Sequence, residues 1–327
     1  MEPAPSPPAP ASTPARGLAP FRRSPDLFRI LCGVASVATV ATLAWMIFEI
    51  THQSWPAIVK FGPGFIFDNK WQPNRDIYGV LPFLLGTGIS ALIAIILALP
   101  LGLAVAIFLS EDFLPPKARQ FIRFTVEMLA AIPSVVYGLW GIAVVVPLVK
   151  EFGSWAVKAF KGTPVLGTIF GPPAYPNSML TASLVLALMI LPTITAISRS
   201  ALVAVPSTLR EGSYALGATR WETIFGVLLP TAAPGIVAAT ILGLGRAMGE
   251  TMAVAMLIGN SPRFTGSLLS PAGTLAGLLA NQFGEAVGLQ VASLMYAALI
   301  LMALTLLVNI LGEAVLRYTQ RKTAGIR

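Results

Sequence analysis

Residues 211–230 read EGSYALGATRWETIFGVLLP, a short polar segment set between two apolar runs. Glu211 is placed to charge the start of a helix, where the dipole favours a carboxylate. Tyr214 and Leu216 offer apolar knobs. Gly217 ends the helix at a point where a left-handed backbone is expected. The chain is 55% hydrophobic and only 11% charged, against roughly 25% charged in an ordinary soluble domain. In such a chain, a polar plug followed at once by a new hydrophobic run predicts a docking surface for a soluble partner.

On either side of that plug the chain reads as an all-α integral membrane protein. A run of about twenty apolar residues spans a hydrocarbon core, and six occur, near 30–50, 80–109, 124–149, 179–197, 234–258 and 291–316. Six crossings leave both termini on one side. The N-terminal tail, the 110–123 loop, the 198–222 loop and the C-terminus hold fourteen Lys and Arg, against seven in the other loops. The positive-inside rule therefore predicts a multi-pass protein of the cytoplasmic (inner) membrane with both termini, and the Glu211 segment, in the cytoplasm. The expected organisation is a disordered cytoplasmic tail over 1–27, rich in Pro, Ala and Ser. A first transmembrane helix and outside loop follow over 28–79, then a core over 80–316 containing the loop 208–230, and a cytoplasmic C-terminal tail over 317–327. The Arg22-Arg23 pair imitates an export signal, but the apolar run behind it is long enough to span and lacks a clear cleavage site.

Composition excludes several classes. Cys32 is the only cysteine and His52 the only histidine, so Cys-based metal clusters, paired-histidine zinc sites and Ser-His-Asp triads have nothing to be built from. No metal or catalytic residues are assigned. The net charge of +8 belongs to the cytoplasmic loops of a membrane protein rather than to a nucleic-acid surface. GLGRAMG, residues 243–249, imitates a dinucleotide fingerprint with the wrong spacing, inside a span and with no preceding strand. No GxxxxGK[ST] phosphate loop occurs.

Charge inside a span is the second signal. Arg246 and Glu250 lie in ILGLGRAMGETMAVAML, four residues apart, which predicts one helix face shared with Ala239, Gly243 and Ala253. Each charged group at a helix centre costs roughly 2.5–3.5 kcal/mol on insertion, so the pair must face protein, water or each other. One reading is an ion pair that only fixes packing; the other is an anion site, with the planar Arg fork suited to phosphate oxygens. Gly245 and Gly249 form a GxxxG step. Glu127, one turn after Arg123 at the start of the third span, is a further candidate for the pathway or for a local ion pair. Ser134 and Tyr137, between Pro133 and Gly138, present hydroxyls that could meet a passing oxyanion or simply sit on a kinked packing helix. Pro82, Pro100, Pro133 and Pro147 are expected to kink the second and third spans. Residues 150–178 form a Gly/Pro-rich outside loop with aromatic anchors at Trp155, Phe160, Phe170 and Tyr175. The interrupted stretch GTLAGLLANQFGEAVG is expected to lie along the interface.

The segment 211–230 resembles the EAA loop of ATP-binding-cassette importer permeases: Glu211, Gly217, Leu229 and Pro230 fall on its spacing, while Gly212, Ser213 and Val227 replace its Ala, Ala and Ile. Together with GLGRAMGETMAVAMLIGN and EMLAAIPSVVYGLWG, it makes the chain from about residue 75 onward similar to the PstC-type permease subunits of phosphate importers. That resemblance implies a type I importer fold (MetI-like) and alternating access. It also implies a homologous PstA-like permease chain, two PstB-like ATP-binding subunits that use ATP and Mg, and an extracytoplasmic PstS-like phosphate-binding protein. No cofactor is expected on this chain itself. By the same resemblance Glu211, Tyr214, Ala215, Leu216 and Gly217 form the coupling helix, and Arg246 and Glu250 match the family's charged pair in phosphate passage. An importer of another oxyanion, molybdate or sulfate, is the near alternative. An ion-coupled secondary transporter leaves the Glu211 loop unexplained, and a membrane enzyme lacks catalytic groups.

Overall fold

A computed structural model describes residues 27–111, 113–171 and 174–324; apart from Leu27, the tail expected over 1–27 lies outside the described residues. The chain divides into two units, one ending at Phe48 and one beginning at Glu49. In the first, the leading part of helix α1 (Leu27–Phe61), the hydroxyls of Ser36, Thr39 and Thr42 donate back to the carbonyls four residues earlier at 2.8–2.9 Å. Polar groups in an apolar helix are thereby satisfied within it.

The second unit carries α2 (Leu81–Ser110), α3 (Pro116–Ala131), α4 (Ser134–Ala159), α5 (Met179–Val203), α6 (Ser207–Ala215), α7 (Arg220–Gly249), α8 (Met252–Leu257), α9 (Leu275–Gln282) and α10 (Leu289–Ala324). Six helices, α1, α2, α4, α5, α7 and α10, are long and apolar enough to cross a membrane. No strand forms among the described residues beyond one isolated bridge, Gln72 to Ile77.

Two spans are cut differently from the sequence expectation. The third does not run from 124 to 149. Ile132 is extended (φ −69°, ψ 128°) because the ring of Pro133 disfavours the helical region in the residue before it. Residues 116–131 therefore form the separate α3, and the span starts at Ser134. The fifth span begins earlier than expected, at Arg220, and stops at Gly249: Glu250 is extended (φ −68°, ψ 126°) and α8 starts afresh at Met252. Prolines act unequally. Pro82 sits in the first turn of α2, where no N–H is needed, and Pro100 lies inside that helix. Both α4 and α7 contain a π turn, Gly141–Val145 and Ile224–Leu228, and each is followed two positions later by a proline, Pro147 and Pro230. A proline cannot donate and its ring crowds the carbonyl four residues back; the wider π turn relieves that crowding and keeps the helix continuous.

Lipid tails are as apolar as leucine, so helix association in a bilayer rests on close packing through small residues. α2 and α5 form the central pair, with Ala91, Ala94 and Ala98 buried against Val185, Leu186 and Ile190, and Thr195 Oγ1 donates to the Gly102 carbonyl at 3.3 Å. α7 lies on α5 where a Cβ on Gly243 would come within 3.1 Å of Ile194. α10 crosses α7 at Gly312, whose added Cβ would meet Ile241 at 2.6 Å. The tight crossing is therefore at Gly312 and not at the GxxxG step: Gly245 has only Asn309 nearby at 3.7 Å, and nothing lies within 4 Å of Gly249.

The stretch expected along the interface is instead inserted into protein. In α9, Leu275 and Leu278 are buried with Trp71, Phe83 and Leu294. The Leu275 N–H donates to Thr87 Oγ1 at 2.9 Å, and Gly86 has no room for a side chain against the Gly273 carbonyl. The 62–80 loop closes the same end of the bundle: Phe65 stacks on Tyr296 at 4.6 Å, and Trp71 Nε1 donates to Gln282 Oε1 at 2.8 Å. Here burial, with the nearby Asp76 carboxylate second, pushes the Tyr78 phenol up.

Candidate functional site

The polar segment between α5 and α7 is built as two short helices around a glycine turn. α6 starts at Ser207, directly after Pro206, so Glu211 lies in mid-helix rather than at its start. Gly217 is left-handed at φ +85°. Its N–H reaches the Tyr214 carbonyl at 2.9 Å and the Ala218 N–H reaches the Ser213 carbonyl at 3.2 Å, the paired bonds of a Schellman ending. The next helix starts with a capping box: Thr219 Oγ1 accepts from the Glu222 N–H at 3.4 Å while Glu222 Oε2 accepts from the Thr219 N–H at 2.7 Å. Glu211, Tyr214, Ala215, Leu216 and Gly217 are all exposed, Leu216 at 91%. Leu216 stands at the tip of the turn with no cover from the described residues.

One departure from the EAA pattern has a local cause. Ser213 is half-buried, and its hydroxyl lies 2.9 Å from Thr223 Oγ1, clipping α6 to the foot of α7. A Cβ added at Gly212 would have nothing within 4 Å, so alanine fits. Gly212→Ala is expected to stabilise α6 by about 0.5–1 kcal/mol through reduced chain entropy, read as a roughly two- to fivefold slowing of amide exchange in α6. Unchanged exchange would show that α6 is held by its contacts and not by propensity.

One contact of this segment escaped sequence reasoning. Arg210, on α6, donates to the Leu202 carbonyl at 2.9 Å and stands 3.3 Å from Glu111 Oε1 at the end of α2. The Glu111 oxygen is buried and makes no aligned hydrogen bond, so this is an ion pair rather than a directed bond. It ties the docking helix to the ends of two spans. Only the charge of the two residues was visible in sequence, 99 positions apart, with no spacing to connect them.

The span charges are arranged differently from the expectation. Arg246 is in the last turn of α7 and exposed in this chain, donating from Nη1 to Thr193 Oγ1 on α5 at 3.3 Å. Glu250 lies past the helix end on extended backbone, so the two do not share one helix face, and no ion pair joins them among the described residues. Of the residues expected on that face, Ala239, Gly243 and Ala253 are buried. Tyr137 is buried on α4, within electrostatic reach of Arg246, and its hydroxyl donates to the Leu129 carbonyl at 2.9 Å. The phenol thus bridges the break at Pro133. Ser134 opens α4, and its hydroxyl makes no protein hydrogen bond among the described residues. Gly138 lets α4 approach α8: an added Cβ would be 2.7 Å from Met256 Sδ. Glu127 is not at the start of a span. It sits on α3, paired with Arg123 at 2.8 Å, both half-exposed, in a group with Arg119 and Arg199.

A helical bundle in which one span stops beside an arginine that has no carboxylate partner among the described residues, with an exposed helix-turn between its fourth and fifth spans, is the architecture of a membrane permease. Residues 98–325 match the family of binding-protein-dependent transport system inner membrane components, and the chain belongs to that family as a multi-pass inner membrane protein. It is similar to the phosphate transport system permease protein PstC of Haemophilus influenzae, 38% identical over 297 residues, 90% of this chain and 94% of that one. It is likewise similar to PstC of Mesorhizobium japonicum, 37% identical over 307 residues, 93% and 94% of the two chains. Among solved structures it shares its fold with the MetNI methionine ABC transporter in inward-facing conformations, with a TM-score of 0.55, 21% identity, and coverage of 73% of this chain and 95% of that one. A bacterial ABC transporter involved in the import of alginate has a TM-score of 0.56 at 13% identity, covering 87% and 95%.

Proposed function

We propose that this chain is the permease subunit of an ATP-driven importer that moves inorganic phosphate across the cytoplasmic membrane by alternating access. The similarity to PstC permeases over nine-tenths of the chain supports the cargo, and an arginine exposed at a break in a span is the observation that carries the mechanism. A guanidinium in the membrane is tolerable only toward protein, water or an anion. The surface it faces is completed by a homologous PstA-like permease chain.

One of two PstB-like subunits that use ATP and Mg docks on the Glu211 to Gly217 surface, and closure of their dimer swings α6. Arg210 carries that motion to the ends of α2 and α5. A PstS-like phosphate-binding protein sits on the opposite face. In this reading both termini are cytoplasmic, residues 28–79 are an added helix and outside loop, and residues 80–316 are the transport core. Arg246 binds phosphate, with Glu250, Ser134 and Tyr137 along its route and Glu127 at its cytoplasmic margin.

The test is uptake of radiolabelled phosphate by proteoliposomes holding the whole complex. Uptake is expected with ATP and to fall to background when the partner ATPase is catalytically dead; uptake driven by an ion gradient alone would sink the importer reading. Excess molybdate or sulfate is expected to leave uptake unchanged, and competition by either would move the cargo to that oxyanion.

A further inference from the structure

On the face opposite α6, the loop after α4 and the loop after α8 border an open pocket of about 480 Å³ lined by Thr168, Tyr175, Ser261, Arg263, Thr265 and Ser270, among others. The two loops are locked together. The Leu268 N–H donates to the Ile169 carbonyl at 2.8 Å, Tyr175 N–H to Leu269 at 2.9 Å, Met179 N–H to Ser270 at 3.1 Å, and Ser261 N–H to Ala272 at 3.0 Å. Gly259, at φ +90°, has no room for a side chain against Pro271. The wall is therefore preformed.

Its polar groups fall into two sets. Ser261, Ser267 and Thr168 spend their hydroxyls on loop backbone. The Arg263 guanidinium and the hydroxyls of Tyr175, Thr265 and Ser270 have no protein hydrogen-bond partner among the described residues, although Ser270 is only 7% exposed. Among the described residues no carboxylate lines the pocket. A cation and three hydroxyls that spend no hydrogen bond on the described protein, with Arg263, Thr265 and Tyr175 exposed at the mouth and Ser270 buried behind them, suit an oxyanion. The volume is several times the ~30 Å³ share of one water, room for a tetrahedral anion with part of its hydration shell.

The cavity rim continues directly from α8, whose other end is the break at Glu250. Six residues at 1.5 Å each make that helix about 9 Å long. One short helix thus separates the cavity from the break beside Arg246.

We propose that this cavity is a receiving site for inorganic phosphate, where Arg263, Ser270, Thr265 and Tyr175 take the anion on the outer face before it passes to Arg246. This rests on the importer reading for its direction and its ligand. The anion exchanges one partly hydrated arginine site for another, so no charge crosses the intervening stretch without a destination.

The test uses the intact complex in lipid nanodiscs, without ATP, carrying Thr168→Cys, an exposed lining position outside the four anion-binding groups, together with Cys32→Ser, since Cys32 is an exposed free thiol. Rates of modification by a negatively and a positively charged thiosulfonate are each normalised to the same reagent's rate with a small thiol. The anionic reagent is expected to be favoured about tenfold, as charge focusing in a cleft allows, and millimolar inorganic phosphate to slow it severalfold. Arg263→Gln should remove both effects, and Arg263→Lys should keep the preference. Equal normalised rates, or no protection by phosphate, would overturn the proposal. Because labelling is read without turnover, its failure beside normal ATP-driven uptake removes the receiving site alone. Failed uptake with intact protection removes the importer reading alone.

Discussion

Arg246→Gln is expected to lower phosphate uptake by the reconstituted complex about ten- to a hundredfold while leaving assembly intact. A hydrogen bond to a charged group is worth about 1.5–3 kcal/mol, and glutamine loses both the charge and the planar fork. The cost to folding is small, because Arg246 is exposed and makes one hydrogen bond among the described residues, at 3.3 Å to Thr193. Arg246→Lys keeps the charge without the bidentate geometry and should fall between the two. Co-purification of the ATPase subunits with the Gln variant reports assembly, and its uptake reports the site. Normal uptake by Arg246→Gln would show that the arginine is idle or structural.

Gly217→Val is expected to separate ATP hydrolysis from transport. Gly217 is left-handed at φ +85° with open space around it, so the penalty comes from the backbone and not from a clash. A β-branched residue there costs about 1–3 kcal/mol, enough to undo the Schellman ending that aims Leu216 outward. Gly217→Asn, which tolerates this conformation, should be close to wild type, and Gly217→Ala intermediate. Phosphate uptake is expected to fall in that order, Asn, Ala, Val, while basal ATPase activity persists. If uptake and phosphate-stimulated hydrolysis both survive in Gly217→Val, α6 is not the coupling element.

What could be read in advance follows from how local each cause is. Six spans were legible because span length and apolarity are properties of contiguous sequence, and Gly217 because a helix stop is a one-residue event. The boundaries of the third and fifth spans were not. A run of apolar residues on both sides of Pro133 or Glu250 hides the break, and hydropathy counts Glu127 and Met252 without regard to backbone direction. The expectation that Arg246 and Glu250 share a helix face assumed an unbroken helix, and α7 ends between them.

α9 shows the same limit from the other side. Its interrupted apolarity looked interfacial because sequence cannot show that Gly86 and Gly273 have removed the side chains that would keep it out of the bundle. The Arg210 to Glu111 pair and the Arg263 cavity are likewise products of topology. Each joins residues from segments far apart in sequence that only helix packing brings together.

The sequence by itself determined that this chain crosses a membrane six times, carries a glycine-stopped polar helix between its fourth and fifth spans, and places an arginine where hydrocarbon would be. Those are consequences of composition and of single residues acting on their own backbone. The tertiary structure alone decided which of these meet: that Arg246 stands beside a helix break without Glu250 as its partner, that α6 is tied to α2 through Arg210, and that two loops distant in sequence border one pocket with Arg263 on its wall. Close packing between helices sets those distances, and it depends on every neighbour at once.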